Sequence, residues 1–158
     1  MALSRDVLEL ETRSLSGEPT LSKAYEILND FWQNGNRDRE LGLHLMFISW
    51  YGIVEPAHLT GFQNNAETAR ELNNSLAAVH AAFEPKIDND PEMLYAFGLA
   101  ANMFCFMFEN PKEWERISIE YRRRYRELEP DGIDVSIFSN RGAYGAYYAG
   151  QAVIKNGY

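Results

Sequence analysis

From Met93 to Phe108 the chain reads MLYAFGLAANMFCFMF, and Asn102 is its one plainly polar side chain. A helix that is apolar on every side has to be enclosed by protein or by lipid. Length decides between them. At about 1.5 Å per residue the run reaches ~24 Å, short of the ~30 Å hydrocarbon core. With Gly98 and Asn102 in its middle, it predicts a buried central helix. Asp90 is placed to cap it, Pro91 suits its first turn, and Glu109-Asn110-Pro111 ends it and opens the next helix.

A second apolar run, LGLHLMFISWYGIV from Leu41 to Val54, interrupted only by His44 and Ser49, predicts another interior helix over about Arg37 to Val54, capped by Asn36. Around these two runs the three-four spacing of amphipathic helices recurs. Leu21, Ala24, Tyr25, Leu28, Phe31 and Trp32 mark one helix, stopped by Asn34-Gly35-Asn36. Ala69, Leu72, Leu76, Val79, His80 and Phe83 mark another, from Asn65 to a stop at Pro85. Asn110-Pro111-Lys112-Glu113 starts a third, with Trp114, Ile117, Tyr121, Tyr125 and Leu128 on its buried stripe. After Pro130-Asp131-Gly132 a last helix is expected from Val135 to Ile154. No segment alternates as a strand would, so the chain predicts an all-α domain of about six helices over residues 20–158, preceded by an arm or irregular segment over 1–19.

A net charge of -8 and a pI near 4.9 repel phosphate backbones and anionic lipid, so nucleic acid and membrane are not expected as partners. The one basic run, Arg122-Arg123-Arg124, has Glu120 and Glu127 at helical spacing and reads as a salt-bridged outer face. The single cysteine, Cys105, lies in the most apolar run, which excludes an internal disulfide. With no leader-like N-terminus in MALSRDVLELETRS, the expected location is the cytoplasm.

The stretch SIEYRRRYRELEPD, Ser118 to Asp131, resembles the second helix of a tetratricopeptide repeat, including the proline that closes each repeat. Leu94, Phe97 and Gly98, and again Phe138 and Gly142, are similar to the large-residue and glycine positions of that repeat's first helix. The resemblance covers the chain from about Pro91 onward. It implies a right-handed stack of antiparallel helix pairs, an α-α superhelix whose first helices line a concave, peptide-binding side. Arg37–Val54 would then pair with Asn65–Phe83 and Pro91–Phe108 with Pro111–Leu128. Val135–Ile154 would cap one end of the stack, and Leu21–Trp32 would cover the other.

Chemistry-bearing patterns are sparse. Glu55 and His58 have the Glu-x-x-His spacing of helical metal sites, but the residues three before His44 and His80 are Leu41 and Ala77, so no second copy exists. Pro56 also breaks the motif's helix. Neither a metal nor a cofactor is expected. Cys105, between Phe104 and Phe106, lacks the polar setting of a nucleophile, and no nucleophile elbow or phosphate-cradling glycine loop occurs. His80 falls on an apolar stripe and is expected to be partly buried and hydrogen-bonded. No catalytic residue is assigned, and a non-enzymatic role is favoured.

Steps of four, three and four residues place His44, Ile48, Tyr51 and Glu55 on one strip, Tyr95, Leu99, Asn102 and Phe106 on a second, and Asn140, Tyr144, Tyr147 and Gln151 on a third. Aromatic bodies with polar tips suit partly wet, partner-holding surfaces. The expectation is a groove lined by His44, Tyr51, Tyr95, Asn102, Asn140, Tyr144 and Tyr147 that binds a protein or peptide segment. A second copy of the chain, docked through GAYGAYYAGQ, is the other form of partner expected. The rival is a small-molecule binder or enzyme with an enclosed pocket around His44, Trp50, Tyr51, Glu55 and Asn102, since polar atoms are costly to bury without a purpose.

Overall fold

The computed structural model describes residues 3–154, which are 77% helical with no strand among them. Eight α-helices follow one another: α1 (Arg5–Ser14), α2 (Leu21–Gln33), α3 (Arg39–Val54), α4 (Ala57–Thr60), α5 (Ala66–Ile87), α6 (Pro91–Phe104), α7 (Pro111–Leu128) and α8 (Gly142–Ile154). Side-chain caps set several starts. Ser4 accepts from the Val7 amide, Asp38 from Glu40 and Leu41, Asn65 from Thr68, and Asp90 from Met93, each satisfying an amide with no partner inside its helix. Among the described residues, no helix is long and apolar enough to cross a membrane.

α3 and α6 are the interior elements. Every residue from Leu41 to Trp50 is buried, as is every residue from Glu92 to Ala101. α3 runs antiparallel to α5: a Cβ at Gly42 would meet the Phe83 ring, and one at Gly52 would meet Leu72. α6 is antiparallel to α7, with Tyr95 against Tyr125 near one end and Phe108 against Trp114 at the other. α2 lies along α5, joined by a 2.6 Å hydrogen bond between the Tyr25 and Ser75 hydroxyls and by Trp32 against Phe83.

α8 runs parallel to both interior helices and packs across them. Arg141 meets Glu40 and Glu92 at one end, the Tyr148 hydroxyl donates to the Ala96 carbonyl midway, and Tyr147 meets Tyr51 and Met103 at the other end. The last helix therefore fills the space between α3 and α6 and does not merely cap a stack. α1 closes over α8, and Thr20 donates to the Leu10 carbonyl at 2.6 Å to hold the turn into α2.

Several expected boundaries are corrected. The helix count rises from about six to eight because residues 5–14 form α1 and four residues after Pro56 form α4. Asp38, not Asn36, caps α3. α5 continues through Pro85, because Ile87 buries in the core and Arg124 donates to the Asp88 carbonyl just beyond. α6 tightens into a 3-10 turn at Cys105–Met107, since Phe108 turns inward onto Trp114; Phe106 is thereby left 73% exposed. α8 starts at Gly142, not Val135. Val135–Phe138 is a separate 3-10 turn, and the positive φ values of Asn140 and Gly142, 58° and 65°, redirect the chain between them. Asn110 likewise has a positive φ and makes no capping bond, leaving Pro111 as the start of α7.

Candidate functional site

Where α1, α3, α4 and α8 approach one another the surface carries a hollow of about 300 Å³. Its floor is Phe47, Tyr51 and Tyr147, and its rim includes Leu15 and Leu59. The floor rings pack edge-on or tilted, Phe47 to Tyr51 at 5.2 Å and Tyr51 to Tyr147 at 6.1 Å, so they support one another and leave no gap between them. Leu15 is 57% exposed and Leu59 39% exposed, unusual for leucines beside an aromatic floor. Ala143 and Ala146 supply the α8 wall, where small side chains leave the volume open. Burial, together with the nearby Glu55 carboxylate, raises the Tyr51 phenol, and burial with Tyr51 and Glu55 pushes Tyr147 up to about 12.

Next to this hollow a chain of alternating charges ties the helices together. Glu11 Oε2 lies 2.6 Å from His44 Nδ1, and Glu40 Oε1 lies 2.9 Å from His44 Nε2. Arg141 grips Glu40 with two hydrogen bonds, 2.9 and 2.6 Å, and contacts Glu92 at 2.5 Å. Glu92 also accepts from the Tyr144 hydroxyl at 2.7 Å and from Arg39 at 2.9 Å, and Arg39 ends the chain on Asp90. The second Glu11 oxygen accepts from the Tyr144 amide at 3.1 Å, so α1 caps α8 in trans.

Electrostatics in this chain are self-consistent. Burial alone opposes a charged His44, but Glu11 and Glu40 outweigh it and raise the ring to about 9. Burial would raise Glu40, and the hydrogen bonds from His44 and Arg141 instead bring it to about 2. His44 and Glu11 are both fully enclosed, and each ring nitrogen already faces a carboxylate. With each nitrogen of an enclosed ring held by a carboxyl group from a different helix, the arrangement clasps α1 to α3.

The expected groove residues divide by burial. His44, Tyr95 and Tyr144 are enclosed, at 0%, 2% and 0% exposure, and offer no surface. Tyr51 and Tyr147 are half-buried and meet at the hollow, while Asn102 and Asn140 are exposed. The first and third strips meet as packed aromatic rings, with His44 on Tyr144 at 4.9 Å and Tyr51 on Tyr147 at 6.1 Å, whereas Tyr95 of the second packs on Tyr148, outside the third strip. The rival pocket does not assemble. Trp50 is buried, stacked on Phe104 and bonded to the Tyr148 hydroxyl; His44 lies near the start of α3, whereas Asn102 lies near the end of the parallel α6.

Glu55 and His58 fall on different elements, the end of α3 and the short α4. Among the described residues no group of His, Cys, Asp and Glu is arranged to hold a metal ion. His80 is 9% exposed and lies 2.5 Å from the Tyr121 hydroxyl, the hydrogen-bonded core role expected for it. Sequence reasoning missed Leu15, Phe47 and Leu59 at the hollow, and Glu11, Glu40 and Arg141 around His44. Only Glu40 carried a signal, one helical turn before His44. Compared with known proteins, the chain matches no family model, and searches of curated proteins and of solved structures find no match.

Proposed function

We propose that this chain is a non-enzymatic protein-interaction module, a tetratricopeptide-like stack of helical hairpins. It holds a partner segment by an apolar side chain that enters the hollow between α1, α3, α4 and α8. The observation that carries the reading is the hollow itself, apolar and aromatic inside and edged by two exposed leucines. Interfaces draw most of their energy from such anchor-and-pocket contacts. The repeat-like part of the reading is supported by two antiparallel pairs, α3 with α5 and α6 with α7, whose first helices run parallel. It departs from a simple array in that α8 lies in the space where a bound peptide would otherwise sit. A cytoplasmic setting accords with one unpaired cysteine.

The test uses immobilised protein and a cell extract. Specific capture of a protein that is lost on Leu15→Glu and Leu59→Glu, but kept on Ile119→Glu at an exposed position of α7, is the expected result. Capture unchanged by the leucine substitutions in folded protein overturns the proposal. A small-molecule ligand is the second reading, because about 300 Å³ is at the lower bound of ligand cavities. A metabolite that raises the melting temperature of the parent, but not of a Tyr147→Ala variant, would favour it.

A further inference from the structure

α1 is fastened differently from the interior helices. Of its ten residues only Val7 and Glu11 are buried, whereas α3 and α6 bury long unbroken runs. The turn that follows belongs to it: Gly17, at a φ of 96°, donates its amide to the Ser14 carbonyl, and Arg13 pairs with Glu18 at 2.7 Å. Residues 5–18 are thus one body, joined to α2 through Pro19 and Thr20. Directed bonds fasten that body, Glu11 to the His44 ring and the Tyr144 amide, and the Leu10 carbonyl to the Thr20 hydroxyl. The layer beneath keeps its own connections without α1. His44 Nε2 retains Glu40, Arg141 retains Glu40 and Glu92, and the Tyr144 hydroxyl retains Glu92. When α1 lifts, Glu11, His44 Nδ1 and the Tyr144 amide lose one another, and regained hydration offsets part of that loss, as it does for any buried ion pair. A segment held by directed contacts over so little buried apolar surface opens as a unit before the core does.

The same body supplies Ser14 and Leu15 to the hollow, facing Phe47, Tyr51 and Tyr147, so lifting α1 removes one of its walls. We infer that α1 is a hinged strap, shut by Glu11 on His44 and Tyr144, whose closure completes the hollow, so that an apolar side chain is held there only while the strap is down. This rests on the interaction reading above and adds the regulation of that site. Occupancy and closure are reciprocal, each favouring the other by the same factor. Whatever loosens the clasp weakens binding one helical turn away without touching the occupant.

Hydrogen exchange of the full chain in low urea is followed by NMR at the amides of Leu8 to Ser14 and, for comparison, at those of Leu94 to Ala101 in α6. N-acetyl-leucinamide and N-acetyl-phenylalaninamide, single apolar residues without charge, serve as probes, and the Leu15 and Leu59 methyl signals report their binding. α1 is expected to exchange by an opening of its own, hastened at least about tenfold by Glu11→Gln and unmoved by Tyr148→Phe, which hastens α6. A probe that shifts the methyl signals is expected to slow α1 and α6 by one common factor, set by its concentration relative to its Kd. Exchange of α1 only together with α6, or α1 exchange indifferent to Glu11→Gln, overturns the strap and leaves the hollow as an interaction site. So does a probe that binds and slows α6 alone, because it then occupies the hollow with α1 lifted. No methyl shift with either probe overturns both readings.

Discussion

Glu11 and His44 stand 33 residues apart in the chain and 2.6 Å apart in space, both with fully enclosed side chains. Glu40 faces the other ring nitrogen, and the two acidic neighbours raise His44 to about 9, which favours the protonated ring at neutral pH. Glu11 also caps α8 through the Tyr144 amide, so one buried carboxylate joins the first helix to the centre and to the last. The hollow depends on this clasp, since Leu15 follows directly on α1.

Removing the Glu11 carboxylate is expected to be severe. Glu11→Ala leaves a buried cation short of a partner and the Tyr144 amide unsatisfied, losses of about 3–5 kcal/mol for a broken buried pair. Glu11→Gln, which keeps an acceptor for that amide, is expected to cost less. Urea unfolding of Glu11→Gln, His44→Gln and the double variant measures the coupling. Strictly additive effects would show that the two residues act independently and would remove the clasp from the account.

Stability should also follow pH in a defined way. His44 in the folded chain is raised from 6.5 to about 9, so its contribution is complete below about 6.5 and is lost as pH rises through about 9. Glu40 is lowered from 4.5 to about 2, so its contribution is complete above about 4.5 and is lost as pH falls through about 2. Both are whole only between about 4.5 and 6.5, so this pair contributes most on the acid side of neutrality, while His80, lowered from 6.5 by burial, contributes in the opposite sense. Thermal melts across pH should show the decline beginning above about 6.5 in the parent and flattened in His44→Gln. A parent equally stable through that alkaline range would contradict a charged His44.

What the sequence disclosed and what it withheld divide along a physical line. The two apolar runs declared α3 and α6, because continuous hydrophobicity leaves a helix only one place to go, and caps such as Asp90 with Pro91 marked where it starts. The groove was misjudged for the same reason. Tyrosines such as Tyr51, Tyr144 and Tyr147 look alike whether a hydroxyl meets water or, as here for Tyr144, a buried carboxylate. Whether polar tips face a hollow or one another depends on where α8 lies. That in turn is decided by the backbone reversal at Asn140 and Gly142 and by a carboxylate far away in α1, neither of which leaves a periodic trace.

Gly142 meets two demands at once. Its φ of 65° is strained for any residue with a side chain, and a Cβ there would lie 2.8 Å from Glu11 Oε1. Gly142→Ala should therefore destabilise the fold by more than the ~1 kcal/mol expected of the backbone alone, because it also displaces the capping carboxylate. In a Glu11→Ala background the contacts with Oε1 and Cδ are gone and only the one with Cβ, at 3.0 Å, remains, so the penalty should shrink toward the backbone cost. A Gly142→Ala penalty of equal size in both backgrounds would show that the contact with Glu11 plays no part.

Tyr148 gives a test of the packed aromatic core that is independent of the charge chain. Its hydroxyl accepts from Trp50 Nε1 at 3.2 Å and donates to the Ala96 carbonyl at 2.8 Å, joining α3, α6 and α8 at one oxygen. Tyr148→Phe keeps the ring contacts with Phe138 and Tyr147 but strands the buried Trp50 N–H and takes one of two partners from the Ala96 carbonyl. At about 1–3 kcal/mol for each unsatisfied group, the substitution should cost roughly 2–4 kcal/mol after partial relaxation, although it removes a single atom. The Ala96 carbonyl retains its helical partner, so the lower half of that range is expected, with a change in Trp50 emission as its indole N–H loses its acceptor. Denaturant unfolding followed by tryptophan fluorescence reads both effects together. Unchanged stability with unchanged emission would mean that α8 does not lie between the two interior helices.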